Sequence, residues 1–350
     1  MKVVPRILLA DNISLEESEC LKDIKTIAYP ENIDVMVYYD TPAGNFVSAR
    51  IQKNLIDFAK KFNLRFLQGH GIGYYYLDVK EDDILVSCGH QNSIVGAIGA
   101  SGFHVDEKEL KSIIATGEYE LNEYSVKHIQ VLSGNNLKNA CLDFIEKNKN
   151  ICEDCILECT GSNLSIQNKR DICQILSQCC KCVRFNNQYD SQFDAVLDLS
   201  NDEEKIILPQ AFINISDLTS TLDKNLDACF IGGCTGGSIE DLRLTASIWK
   251  GKKIPLSVRV CIAPSTNEVF LQAIEEGLLE IFIDSGAQIL NAGCASCRTT
   301  SKGVLGSNEV MLATSIYNDS GCNGEKDSYV YLADTKTVAY SALCGKIVRG

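Results

Sequence analysis

Apolar positions along this chain switch repeatedly between a period of two and a period near 3.6. The stretch 31–40, ENIDVMVYYD, is rich in β-formers and ends on Asp40. Helical spacing follows in SARIQKNLIDFAKKF (48–62), where Ile51, Leu55, Phe58 and Phe62 share one face. LRFLQG and DDILVSCG read as strands that stop at glycine-bearing turns, a common place for binding groups. GAIGASGF (96–103) reads as a tightly packed helix start or turn, and SGNNLKNACLDFIEK (133–147) as a helix capped by Ser133. Further on, DACFIGG (227–233) and LSVRVCIAP (256–264) are predicted strands, with SIEDLRLTASIWKG (238–251) a helix between them. TNEVFLQAIEEGLLEIF (266–282) is a predicted helix closed by a glycine turn, and the overlapping LEIFIDSGAQIL reads as a strand. This alternation predicts an α/β protein with parallel sheets covered by helices, and sites at the carboxyl ends of the strands.

At 350 residues the chain is long for one core. Three units are expected: 1–135, a cysteine-rich 136–225, and 226–350. No apolar stretch approaches the ~20 residues of a membrane helix. The apolar run in MKVVPRILLADNISLEESE is too short for a secretory signal, so the chain reads as intracellular and cytoplasmic. A formal net charge of −13 argues against wrapping nucleic acid, whose phosphates need facing Lys and Arg. Seventeen cysteines is an odd number in a chain read as residing in a reducing compartment. That leaves buried small hydrophobes, metal ligands or reactive thiols, and location has to discriminate among them.

Two segments stand out. In FIGGCTGGSIEDLR (230–243), Cys234 follows a predicted strand and precedes a helix, among Gly232, Gly233, Gly236 and Gly237. A thiolate is favoured near a helix N-terminus, and glycines let backbone approach a bulky ligand. In NAGCASCRTT (291–300), Cys294 and Cys297 occupy a comparable turn. Three thiolates from two such turns could hold an iron–sulfur cluster with one iron open to substrate, as Lewis-acid catalysis requires. A lone C-x-x-C also suits structural zinc or a redox pair.

These residues carry a resemblance. GGCTGGSIEDLR is similar to the G-S-C-T-N-G-x-I-E-D-L-R run of the aconitase / 3-isopropylmalate dehydratase large-subunit family. CIAPSTNEVFLQAIEEG resembles its V-x-P-(A/G)-S and E-E-G elements, and AGCASCRTTSKGVLGSNEVMLATS its P-G-C-x-x-C, G-V-L and T-S-N. VAYSALCGKIVRG resembles its ending. Upstream, YYDTPAGNFVSARIQKNLIDFAKKFNLRFL, GHGIGYYYL, ILVSCGHQNSIVGAIGA and ILECTGSNLSIQNKRDICQILS follow in the family's order. The resemblance implies three-layer α/β/α domains around a central [4Fe-4S] cluster held by Cys234, Cys294 and Cys297. It implies a hydro-lyase reaction on a hydroxy-acid. The family's swivel domain with its G-S-S-R serine has no counterpart here, which implies a separate small subunit as partner. No nucleic-acid or membrane partner is expected.

The substrate-holding positions depart from the family. Its His-Gln becomes Tyr74-Tyr75, and its D-S-H-T falls on Gly89, His90, Gln91 and Asn92, or one residue earlier from Cys88. Gln178 stands where a carboxylate is expected, Gly236 where an Asn is, and Tyr317 and Cys322 where two arginines are. Citrate-like substrates therefore look poorly served. Two classes remain: a cluster-dependent hydro-lyase with an altered pocket, or a cluster-binding homologue used as sensor, scaffold or catalyst of something else.

His90 is the expected acid/base group and Asp40 a second catalytic candidate, against plain roles as a loop histidine and a helix cap. Ser265, Gln91 and Tyr74 are candidate substrate contacts, although Ser265 could equally cap the helix from Asn267. A second dense set, Cys152, Cys155 and Cys159 with Cys173, Cys179, Cys180 and Cys182, could bind another metal or be buried filler. In the strand CILECTG, alternation places Cys155 and Cys159 on one face and Ile156 on the other.

Overall fold

The computed structural model describes all residues except 38–41, 90, 187–191, 213 and 300, and the side chain of Tyr76. Asp40 and His90 therefore lie outside the described residues. The chain is α/β, with three mainly parallel sheets. The first has the strands Arg65–Gln68, Ile33–Val37, Arg6–Ala10, Ile84–Ser87 and Ser101–His104 in that spatial order, all parallel. The second orders Cys182–Phe185, Cys155–Thr160, Ser125–Leu132 and Ala195–Asp198, again all parallel. The third runs Ile215–Asp217, Lys205–Ile207, Tyr329–Leu332, Val310–Ala313, Ala228–Gly232, Arg259–Ala263 and Gln288–Ile289. Residues 205–217 of the expected middle unit thus join the last sheet, in antiparallel pairings.

Chain order reverses at one place in each parallel array. In the first sheet it reverses between Arg6–Ala10 and Ile84–Ser87, and in the third between Ala228–Gly232 and Val310–Ala313. The connections after such strands diverge to opposite faces, opening a crevice at their carboxyl ends where α/β proteins bind ligands. Residues 11–13, 88–89, 91–92, 232–238 and 314–317 all lie at these two crevices.

Local chemistry explains most elements. Asn45 caps Phe46–Phe62 in a reciprocal box with Ser48, and Ser238 does the same for Ile239–Trp249 with Asp241. Ile51, Leu55 and Phe58 are buried as the periodicity requires. Three expectations are corrected. Leu278–Ser285, read in part as strand, is a separate helix set off from Asn267–Glu275 by Gly277 in the left-handed region, leaving only Gln288–Ile289 as strand. Short apolar runs are ambiguous between the two periods, and glycines at 277 and 286 decide the matter. Ser133 is not a cap, because Leu137–Lys147 starts after Asn136. Residues 96–103 divide between a 3₁₀ turn, Asn92–Ile98, and the strand Ser101–His104.

Candidate functional site

Cys234 lies just past Ala228–Gly232, and Cys294 and Cys297 just past Gln288–Ile289, so all three leave the carboxyl edge of one sheet. Each thiol is buried. The Cys294–Cys297 turn is a single 3₁₀ loop, with the Cys297 amide donating to the Cys294 carbonyl at 3.1 Å and Ala295 in the left-handed region at φ 46°. Thr314 braces the facing loop. Its hydroxyl accepts from the Gly232 amide at 2.9 Å, while its carbonyl accepts from Thr235 at 2.9 Å. A methyl group on Gly236 would sit 2.1 Å from the Thr314 hydroxyl, so glycine there lets the two switch-point loops touch.

The first sheet closes over these thiols. Asn12, past Arg6–Ala10, donates to the Gln91 side-chain carbonyl at 2.6 Å, and Gln91 donates in turn to the Cys294 sulfur at 3.5 Å. Arg298 donates to the carbonyls of Asn12 and Ile13. Ile72 donates to the Ser265 carbonyl at 2.9 Å, and Gly71 admits that approach because any Cβ would fall 2.7 Å from the same oxygen. From the second sheet's unit, Gln178 donates to the Tyr317 hydroxyl at 3.3 Å. Tyr317 feels both Cys234 and Cys297 electrostatically, and its phenol is held well above its ordinary pKa by loss of water.

The thiols perturb one another. Burial pushes the Cys234 thiol up, the neighbouring Cys297 adds to the rise, and Lys138 opposes it. Among the described residues, no three His, Cys, Asp or Glu side chains gather around a point where a single metal ion would sit. A four-iron cluster holds its cysteines on separate corners, so its ligands need not converge as those of one ion do. The donor set, three buried soft sulfurs with an amide N–H on one of them, fits such a cluster.

Several buried polar atoms here have no partner among the described residues. They include the Ser265 hydroxyl, the Asn92 amide nitrogen and the Asn12 amide oxygen. Orphaned groups of this kind are rare and need an explanation. Ser265 is freed because Thr266, not Ser265, caps the helix Asn267–Glu275. A cleft of about 420 Å³ leads from Tyr317 and Gln178 past Asn92, Ser93 and His104.

Other expected residues sit as follows. Tyr74 is buried and pairs with the Ser87 hydroxyl at 2.5 Å, so its phenol serves the first sheet's switch-point loop. Gln91 reaches a sulfur within the candidate site. Glu158 binds Arg184 and approaches His128, a structural ion-pair group. In the second cysteine set, Cys155 and Cys159 do share a face with Leu157 against the main core while Ile156 packs elsewhere. The Cys179 and Cys180 thiols both donate to the Leu176 carbonyl, at 3.0 and 3.3 Å. Lys138, Asp171, Asn12 and Arg298 escaped the sequence reading. Asn12 alone had a legible signal, two residues past the apolar strand RILLA.

The parallel sheets, their switch-point crevices and the thiol-bearing loops define an aconitase-type α/β protein. Residues 184–345 match the model of the Aconitase family (aconitate hydratase). The 3-isopropylmalate dehydratase large subunit of Hydrogenobaculum sp. (strain Y04AAS1) is 28% identical over 362 residues, covering 93% of this chain and 85% of that protein. The methanogen homoaconitase large subunit of Methanocaldococcus jannaschii is 25% identical, covering 91% and 86%. The crystal structure of Thermococcus kodakaraensis aconitase X superposes with a TM-score of 0.62 at 13% identity, covering 97% of this chain and 90% of that one, a likeness of fold. Residues 184–345 thus carry an Aconitase-family domain, and over most of its length the chain is similar to 3-isopropylmalate dehydratase and homoaconitase large subunits. Among the described residues, no helix is long and apolar enough to cross a membrane.

Proposed function

We propose that this chain is a [4Fe-4S]-dependent hydro-lyase acting on a hydroxy-acid that carries fewer carboxylates than a citrate-like substrate. Cys234, Cys294 and Cys297 would hold the cluster, which when bound supplies a Lewis-acidic iron for a leaving hydroxyl. The observation that carries the reading is the set of neutral groups beside three buried thiols: the Ser265 hydroxyl and the Asn92 amide nitrogen, which have no partner among the described residues, and Gln178 and Tyr317, which bond each other. Nearby cations are already engaged. Arg298 donates to main-chain carbonyls, Lys138 does likewise, and Arg170 stacks over the Tyr75 ring at 4.2 Å. A second or third substrate carboxylate would forgo charge-assisted hydrogen bonds worth about 1.5–3 kcal/mol each.

In this reading Ser265 and Asn92 orient the substrate, while His90 and Asp40 are the proton-transfer candidates. A separate swivel-domain chain completes the active site, as the "large subunit" names of the relatives suggest. The test follows ultraviolet absorbance of the unsaturated acid after anaerobic iron and sulfide loading. Hydroxy-acids with one, two or three carboxylates are offered, with and without a small-subunit chain. Preference for the less charged acids supports the reading. An intact cluster that turns over none of them favours the second class, a homologue without dehydratase activity, which the replacement of two family arginines by Tyr317 and Cys322 also favours.

A further inference from the structure

Lys138 lies in the first turn of Leu137–Lys147, yet its side chain is not on the surface; the residue is only 7% exposed. It crosses from the second sheet's unit to the switch point of the third sheet. There its ammonium donates to the Thr314 carbonyl at 2.6 Å and the Ser315 carbonyl at 3.0 Å. The same Thr314 carbonyl accepts from Thr235, the residue after Cys234. Lys138 therefore sits directly behind the loop that presents Cys234.

A buried ammonium satisfied only by neutral carbonyls is costly. Loss of water lowers its pKa to about 8, and the groups pulling it back are Asp334 first and Cys234 second. Asp334, Asp171 and Asp241 line a cavity of about 180 Å³ together with Lys138 and Thr235, the residue after Cys234. Each carboxylate has other partners. Asp334 accepts from Asn139 and Thr337, Asp241 from Ser238 and Thr335, and Asp171 from Gln167. The ammonium therefore stands between Asp334 on one side and, through Thr314 and Thr235, the Cys234 loop on the other, where three thiolates would bring net negative charge.

We propose that Lys138 is a positioning residue that supplies the buried counter-charge of the cluster site, acting through the Cys234 loop to stabilise the cluster's reduced state. The inference rests on the proposed function. Charge near a cluster and hydrogen bonding around its sulfurs set its reduction potential. Removing a cation disfavours the added electron, so the potential falls.

The test is an EPR-monitored redox titration of the anaerobically loaded chain, with iron and sulfide measured in every sample. Lys138→Met is expected to raise the oxidised-to-reduced ratio at fixed potential about tenfold, a fall of about 59 mV for one electron. Lys138→Arg, which keeps the charge, should restore most of it. Should Lys138→Met fail to fold, Asp334→Asn decides. It retains an oxygen to cap Thr335–Cys344 and removes the carboxylate facing Lys138, so the potential should rise. Equal potentials with full clusters overturn this inference alone. Wild-type chain without iron and sulfide overturns the proposed function and this inference with it.

Discussion

The side-chain amide of Gln91 donates to the sulfur of Cys294 at 3.5 Å while its carbonyl accepts from Asn12 at 2.6 Å. One side chain thus ties the first sheet's switch point to the thiol-bearing turn of the third. Gln91→Leu strands the Asn12 amide in a buried place, which should cost about 1–3 kcal/mol. Thermal unfolding of the cluster-free chain reads that loss. Gln91→Glu should be worse for cluster retention, because it aims a carboxylate at a thiolate.

Ser265 and Thr266 are neighbours with opposite jobs. Thr266→Ala removes the cap of Asn267–Glu275 and should cost about 1 kcal/mol. Ser265→Ala removes a hydroxyl that has no partner among the described residues, so stability should change by less than about 0.5 kcal/mol. Activity of the loaded chain should show the reverse order, with Ser265→Ala the more damaging. Denaturant melts and turnover on the same preparations check both halves.

Gly236→Ala forces a methyl group to 2.1 Å from the Thr314 hydroxyl. Relief requires the 232–238 and 314–317 loops to separate. Overpacking of this kind costs about 1–3 kcal/mol, and a lowered melting temperature measures it. Thr314→Ala in the same chain should return part of the loss.

Glu309 receives both Arg259 guanidinium nitrogens at 2.6 Å, and this pairing holds its carboxyl down at about 2. A carboxyl lowered on folding stabilises the native state above its unfolded pKa and ceases to do so as pH falls toward the folded value. Stability from this pair should therefore be complete above about pH 4.5 and be lost on acidification toward about pH 2. Arg259 is 54% exposed, so solvent limits the effect to about 1 kcal/mol or less. Glu309→Gln should flatten that part of the stability curve in urea melts taken between pH 2 and 6.

The strands and most helices were legible because their periods are clean and their caps, such as Ser238 with Asp241, lie next to the runs they terminate. The three thiols were legible too, since glycines and turns mark their loops locally. Lys138 and Asp171 were not. A lysine beside a predicted helix start reads as surface, and only the meeting of two sheets' units buries it against Thr314 and Ser315. Ser265 was ambiguous for a related reason: serine and threonine both cap, and the backbone turn chose Thr266. Leu278–Ser285 failed because an apolar run of that length carries no decisive period.

Iron and sulfide analysis of anaerobically purified chain, beside its Cys294→Ser, Cys297→Ser and Cys155→Ser variants, tests the three-thiolate site most directly. Wild type and Cys155→Ser should each carry about four irons and matching sulfide, while Cys294→Ser and Cys297→Ser should carry almost none. Zinc without sulfide in the wild type, or full clusters in the Cys294 and Cys297 variants, would contradict a cluster held by Cys234, Cys294 and Cys297.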